Sequence, residues 1–249
     1  ILPIDSEHFS IMNMLESINK KEIETIYLTA SGGPFLNHTK KMIQNVKPSE
    51  AIKHPKWKMG KKISIDSATL MNKLFEVIEA HKLFSINYKK IDIVIHPQSL
   101  VHAIIKLKNG LYKLLYFETD MAIPIGNVLF GKNFEIKKFK NIKKNKNSIF
   151  KNQLNFINVD KSKFPAFKLK PVLGNYNSLP IILNAANEIF VDQFIKKNIS
   201  FYSIIDNLFV LLKDPKFRKY AIKRPSNLET ILTIDKWTRN KAMEILERN

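Results

Sequence analysis

The segment from Lys62 to Glu79, KISIDSATLMNKLFEVIE, is apolar nearly all round, yet it carries hydroxyls, an amide, amines and carboxylates. Ile63 and Ile65 alternate as in a short strand, and Asp66 or Ser67 can cap a helix running through Leu70, Met71, Leu74, Phe75, Val77 and Ile78. A helix that is hydrophobic on every side belongs inside a protein, where each polar group has to find a partner. Asn72, Glu76 and Glu79 fall on one face of it, at spacings of four and seven. An unpaired buried carboxylate is costly, so these acids call for a cation: Lys73, another lysine, or a metal ion. Ser67, Asn72 and Lys73, near the helix start, can hold an anion. A capped core helix with salt-bridged acids accounts for the same residues, and the segment taken alone favours that plainer reading.

With 249 residues, 45% of them hydrophobic, the chain can bury one large core or two ordinary ones. It has no run of about 18 uncharged apolar residues, so no membrane partner is expected. Its start, Ile1-Leu2-Pro3-Ile4-Asp5, is neither a signal sequence nor an initiator; it reads as mid-strand, and a preceding segment of the natural protein is expected. Without cysteine, any metal has to use oxygen or imidazole ligands. The net charge of +19 raises nucleic acid as a partner, but the cations are nearly all lysine, spread along the chain among Asn and Ile, with only Arg218, Arg224, Arg239 and Arg248 besides. Arginine is the usual reader of base edges and the bidentate phosphate ligand, so no nucleic-acid partner is expected. A small anionic substrate gains from the same field.

Taken in order, Asp5-Ser6-Glu7-His8 places two carboxylates at i and i+2 after the apolar Ile1 to Ile4. At a strand end they share a face and, with a third acid, make a hard oxygen site for Mg²⁺ or Mn²⁺; alternatively Asp5 or Ser6 caps a helix over Phe9 to Ile18. Ile23 to Ala30 reads as a strand that breaks at Ser31-Gly32-Gly33-Pro34-Phe35, where glycines allow close approach to an anion or simply make a turn. Lys47 to Lys62, rich in Pro, Gly and Lys, leaves His54, Trp57 and Met59 on a loop that can serve as a lid. Strands are expected over Ile91 to Ile95 and Leu100 to Leu107, the latter with His102, then a hairpin at Asn109-Gly110 into Leu111 to Phe117. The Lys/Asn-rich stretch from Gly131 to Asn155 reads as a connector, and helices are expected over Leu179 to Lys196, Tyr202 to Leu212 and Leu228 to Leu246.

LPIDSEH at 2–8, SGGPF at 31–35, KHPKWKMGKKISIDSATLMNK at 53–73 with Glu76, IHPQS at 95–99 followed by His102, and LNAANE at 183–188 together resemble the 1-deoxy-D-xylulose 5-phosphate reductoisomerase family. The resemblance implies an α/β catalytic domain over 1–130, a linker over 131–157 and an all-α helical bundle over 158–249, with the family's N-terminal NADPH-binding domain missing. It implies Asp5, Glu7 and Glu76 as ligands of Mg²⁺ or Mn²⁺, Ser6 beside the metal, and Ser31, Ser67, Asn72 and Lys73 on the substrate phosphate. His54 and His102 would lie along the pocket, Trp57 and Met59 in the lid, and Ala30, Met59, Gly60 and Met121 against the nicotinamide cofactor.

The activity so implied is metal-assisted isomerisation and NADPH-linked reduction of a phosphorylated ketose, 1-deoxy-D-xylulose 5-phosphate, to 2-C-methyl-D-erythritol 4-phosphate in non-mevalonate isoprenoid synthesis. The family likeness further implies a homodimer in a bacterial cytoplasm or a plastid-type stroma, with this stretch inactive by itself. Ala30, Leu74 and Thr119 depart from the family's usual Gly, Gly and Pro. A basic nucleic-acid-binding module and a different metal-dependent phosphosugar enzyme are the competing readings.

Overall fold

The structure, a computed structural model, describes residues 1–55, 57, 59–139 and 153–248. Residues 140–152 of the expected connector, and Lys56 and Lys58 of the expected lid, lie outside the described residues. In chain order the elements are α1 (Ser6–Leu15), β1 (Ile23–Ala30), α2 (Lys40–Gln44), α3 (Pro48–Ala51), α4 (Lys61–Thr69), α5 (Met71–Phe84), β2 (Ile91–Ile95), β3 (Val101–Leu107) and β4 (Tyr112–Tyr116). They continue with α6 (Ala122–Phe130), α7 (Ile136–Phe139), β5 (Ile157–Asn158), α8 (Leu179–Ile195), α9 (Ser203–Leu212), α10 (Phe217–Ala221) and α11 (Leu228–Glu247). Two compact units result, Ile1–Gly32 with Glu79–Val159 and Gly33–Ile78 with Asp160–Asn249, so the division falls inside α5.

The first unit is built on a mixed five-stranded sheet in the order β4-β3-β1-β2-β5. β1 runs parallel to β2, with Ile26 opposite Ile91 and Ala30 opposite Ile95, while β3 pairs antiparallel with β1, β4 with β3, and β5 with β2. A parallel pair needs a long connection, and here residues 31–90 provide it. β3 is a nearly continuous apolar run buried along its length, as a strand covered on both faces should be, whereas the edge strand β4 stays half exposed. Helix α1 packs on β3, and Phe9 meets Phe117 edge-to-face at 5.9 Å. The β3–β4 hairpin turns where Asn109-Gly110 predicts it, with Gly110 at φ +88°.

The second unit is helical among its described residues. Ile182, Ala185, Ala186 and Phe190 of α8 are fully buried, and α4, α9 and α11 all pack against this helix. Helix α11 buries only the stripe Ile234, Thr238, Ala242 and Ile245 and leaves Leu228 and Leu232 exposed.

The expected strand at Ile63 to Ile65 is instead the first half of α4. Gly60 caps this helix and accepts a hydrogen bond from Ser64 Oγ at 2.9 Å. Spacing two fits a strand, but Ile65, Ala68 and Thr69 are buried at i, i+3 and i+4, together with Ser64 and Asp66, and Ile63 stays exposed. The expected single helix is in fact two, because Leu70 adopts φ +64° between α4 and α5. A left-handed leucine costs energy, and the complete burial of its side chain offsets it. At the N-terminus, Ile1 to Ile4 form no strand; Asp5 is the N-cap of α1, accepting from the backbone N–H groups of Glu7 and His8 at 3.1 and 3.3 Å. This is the capping alternative of the sequence reading.

Candidate active site

In the first unit the DSEH motif forms the opening turn of α1. Capping aims one Asp5 oxygen at the helix amides, where the positive end of the helix dipole favours a carboxylate. The same oxygen lies 3.0 Å from His8 Nδ1, which also stands 3.8 Å from Glu79 Oε2 on α5. The Ser6 hydroxyl donates to the Glu7 carboxylate, and both residues are buried. A buried imidazole and a buried carboxylate are therefore arranged within one helical turn. Further along the sheet, His102 is buried in β3 and stacks on Phe117 at 4.2 Å, the ring that also meets Phe9 of α1. Ala30 closes β1 and its carbonyl accepts from the His96 backbone at 2.7 Å. Ser31 follows on the loop, and Met121 stands at the N-terminal boundary of α6.

In the second unit the polar groups of the central segment gather at the start of α5. Lys73 Nζ donates to Glu76 Oε1 and Oε2 at 2.8 and 2.7 Å, and Asn72 Nδ2 donates to Oε1 at 2.5 Å. Lys73 and Glu76 are buried, so this is a desolvated, charge-assisted pair. Ser67 lies in the last turn of α4, beside the Gly33 loop: a Cβ on Gly33, which holds φ +63°, would come within 3.1 Å of Ser67 O and 3.1 Å of Ala68 Cα. Only glycine permits that approach.

His54, Trp57, Met59 and Gly60, with Ile52 and Lys53, line one open cavity of about 580 Å³. The Trp57 backbone N–H donates to His54 Nδ1 at 2.9 Å, which leaves the imidazole proton on Nε2. Burial, reinforced by the Lys73 ammonium, pulls His54 down to about 4, so the ring is neutral near pH 7.

The structure therefore brings together Asp5, Ser6 and Glu7 in one unit, and Asn72, Lys73 and Glu76, along with the His54 to Gly60 set, in the other. His8 as the partner of both Asp5 and Glu79 was missed, although His8 stands in the DSEH motif. The bond from Asn187 Nδ2 to Asp66 Oδ1, 2.7 Å long, was also missed: both motifs were visible, and nothing in their spacing paired them.

Each unit holds buried ionisable groups at a helix start, Glu7 in the first turn of α1 in the first unit and Lys73 with Glu76 near the start of α5 in the second, the kind of group a functional site uses. Residues 1–84 match the model of the 1-deoxy-D-xylulose 5-phosphate reductoisomerase C-terminal domain, and residues 118–241 match that of the DXP reductoisomerase C-terminal domain. The chain belongs to the 1-deoxy-D-xylulose 5-phosphate reductoisomerase family. It is 43% identical over 235 residues to the 1-deoxy-D-xylulose 5-phosphate reductoisomerase of Pelagibacter ubique, covering 94% of this chain and 60% of the relative. To the enzyme of that name from Wolbachia pipientis it is 42% identical, over 99% of this chain and 62% of the relative. A crystal structure of DOX-P reductoisomerase in complex with NADPH, fosmidomycin and magnesium superposes with a TM-score of 0.88 at 35% identity, covering 99% of this chain and 63% of that one. The chain thus spans roughly three-fifths of the length of the proteins it matches.

Proposed function

We propose that this chain is the metal- and substrate-binding part of a 1-deoxy-D-xylulose 5-phosphate reductoisomerase, which isomerises that ketose phosphate and reduces it with NADPH to 2-C-methyl-D-erythritol 4-phosphate. One observation carries the reading: Asp5, Glu7 and Glu76 are a carboxylate set that could hold a metal ion. Glu76 stands one turn ahead of Glu79 on the same face of α5, and Glu79 approaches the imidazole that pairs with Asp5. The donors are all oxygen and two of them are buried, which suits Mg²⁺ or Mn²⁺. A solved relative's complex with NADPH, fosmidomycin and magnesium supports the same cofactor kinds.

In this reading Asp5, Glu7 and Glu76 hold the cation, whose chemistry is Lewis-acid polarisation of the ketose carbonyl and stabilisation of negative charge on vicinal oxygens. Ser6, by donating to Glu7, fixes that carboxylate's rotamer and stands beside the substrate. Ser31, Ser67, Asn72 and Lys73 receive the phosphate, with Lys73 contributing the charge and the N-terminal end of α5 the field. His54, neutral and with its proton on Nε2, offers a hydrogen bond without a charge, and His102 lies along the pocket wall. Trp57 and Met59 close over the ligand and exclude water, while Ala30, Met59, Gly60 and Met121 face the nicotinamide. The main NADPH site lies in a domain outside this chain, residues 1–130, 131–157 and 158–249 act as catalytic domain, linker and helical bundle, and the protein works as a homodimer.

The test follows NADPH oxidation by absorbance with 1-deoxy-D-xylulose 5-phosphate and Mg²⁺, in the complete natural protein and in the 249-residue chain. Turnover by the former, abolished by a chelator and by Glu76→Gln, and none by the latter, is expected. No turnover by the complete protein refutes the reaction, and robust turnover by the shorter chain refutes the placement of the cofactor.

A further inference from the structure

Asp66 is a carboxylate at 1% exposure in the middle of α4, and Asn187 is fully buried in the middle of α8. Asn187 Nδ2 donates to Asp66 Oδ1 at 2.7 Å, and Lys62, one turn earlier on α4, lies 2.8 Å from Oδ2. Asn187 is itself braced from behind. The next residue, Glu188, accepts from Arg239 Nη2 of α11, whose Nε donates to Asp235 at 2.8 Å. The opposite side of α4 is held by the Gly33 loop, whose backbone lies so close to Ser67 O and Ala68 Cα that a Cβ would already crowd them. Successive helix residues are about 100° apart, so Ser67 projects between the flank gripped through Asp66 and the flank gripped through Ala68.

We propose that Asp66 and Asn187 are positioning residues: the buried bond between them locks the rotation and height of α4 so that Ser67 presents its hydroxyl to the phosphate of the substrate. The inference rests on the reading of Ser67 as a phosphate ligand and deepens it, giving the C-terminal helices α8 and α11 a part in substrate recognition. A rotation of α4 by about 15° would carry an oxygen ~4–5 Å from the helix axis by about 1 Å, enough to spoil a hydrogen bond. Apolar packing between α4 and α8 tolerates such a slip, whereas a directional bond to a desolvated carboxylate does not. Neither residue touches the substrate; both act through Ser67.

The experiment uses the complete protein and titration calorimetry with fosmidomycin, whose phosphonate probes the anion site, in saturating Mg²⁺, with Mg²⁺ affinity measured separately. Asp66→Ala and Asn187→Ala should each raise the fosmidomycin Kd about tenfold with the number of sites and the Mg²⁺ affinity unchanged. Asp66→Asn, which keeps an acceptor for the Asn187 amide, should stay within about threefold of the parent. A merely structural role would lower the number of competent sites and leave Kd alone, and that outcome overturns the proposal. If Asp66→Ala does not fold, Asn187→Ala decides by the same criteria, since it leaves the Lys62–Asp66 pair in place. Ser67→Ala separates the two levels: if it weakens binding while Asn187→Ala does not, the brace is wrong and the site stands; if Ser67→Ala has no effect, the reading of the site fails and the brace with it.

Discussion

Replacing Gly33 by alanine tests the close approach of the SGGPF loop to α4 without assuming any ligand. The backbone there sits at φ +63°, a region that costs an L-residue on the order of 1–2 kcal/mol. The new Cβ would lie 3.1 Å from Ala68 Cα, 3.1 Å from Ser67 O and 3.4 Å from Ala68 N, all of them backbone atoms that cannot swing aside. To relieve the contact α4 would have to retreat by a few tenths of an ångström against the Asp66–Asn187 bond, and overpacking of this kind costs roughly 1–3 kcal/mol. The smaller entropy of the unfolded alanine chain returns about 0.4–1 kcal/mol. Gly33→Ala should therefore lose about 1–5 kcal/mol, read as a lower urea midpoint by circular dichroism with the slope unchanged. Gly60→Ser is the control: Gly60 sits at φ −60° with no atom within 4 Å of the added Cβ, and serine is a good N-cap, so its midpoint should stay within about 0.5 kcal/mol of the parent. If Gly33→Ala melts with the parent, or no earlier than Gly60→Ser, the argument from close approach is wrong.

Lys73→Ala should cost about 3 kcal/mol in the presence of a chelator, because Glu76 loses the ammonium that binds both its oxygens, and Mg²⁺ should restore part of the loss. Thermal melts with EDTA and with Mg²⁺ check this, and a loss below about 1 kcal/mol that ignores Mg²⁺ would refute it. His54 should titrate near 4 by NMR; because the unfolded ring takes up its proton near 6.5, its contribution to stability is complete above that pH and is lost as the pH falls from 6.5 through 4. Removing the Lys73 charge should move that midpoint up, and a midpoint above 6 in the parent would overturn the assignment. Burial raises the Asp66 carboxyl, offset in part by Lys62 and increased by Glu188, so the folded state binds its proton more readily than the unfolded one. Ionised Asp66 therefore weighs against folding as pH rises above the usual carboxylate range, and Asp66→Asn should compare better with the parent at pH 7 than at pH 3 in urea melts.

The strands that run into Ser31 and His96 were legible because their signals are local. Ile23 to Ala30 and Ile91 to Ile95 are β-branched runs bounded by turn residues, and the strands match those bounds. The helices α8, α9 and α11 fall within a residue or so of their apolar periods for the same reason. Around Asp5 the residue types were legible and the conformation was not: two acids at i and i+2 serve a strand end and a helix cap equally well, and the cap won because the amides of Glu7 and His8 needed an acceptor. Pairings between distant positions left no local trace. Asp66 and Asn187, separated by 121 positions, meet only because α4 packs on α8.

Leu70 shows what a missed break changes chemically. A single helix beginning at Asp66 or Ser67 would put its amide-rich end at Ser67 and bury Asn72 and Lys73 in its second turn. With the left-handed Leu70 ending α4, a new helix begins at Met71, so Asn72 and Lys73 stand in the first turn of α5, where the positive end of the dipole favours negative charge. Glu76 follows within the next turn and is held by both side chains. The same sequence thus yields a second helix start with Asn72 and Lys73 in its first turn, and it does so by placing a buried leucine where a glycine would ordinarily be asked to make the turn. Glycine at that position would relieve the strain of the left-handed backbone, but it would surrender the apolar anchor that holds the start of α5 in the core, and the loss of a fully buried leucine side chain, about 2–5 kcal/mol, outweighs the strain. The position of Lys73 therefore depends on a residue that touches no ligand.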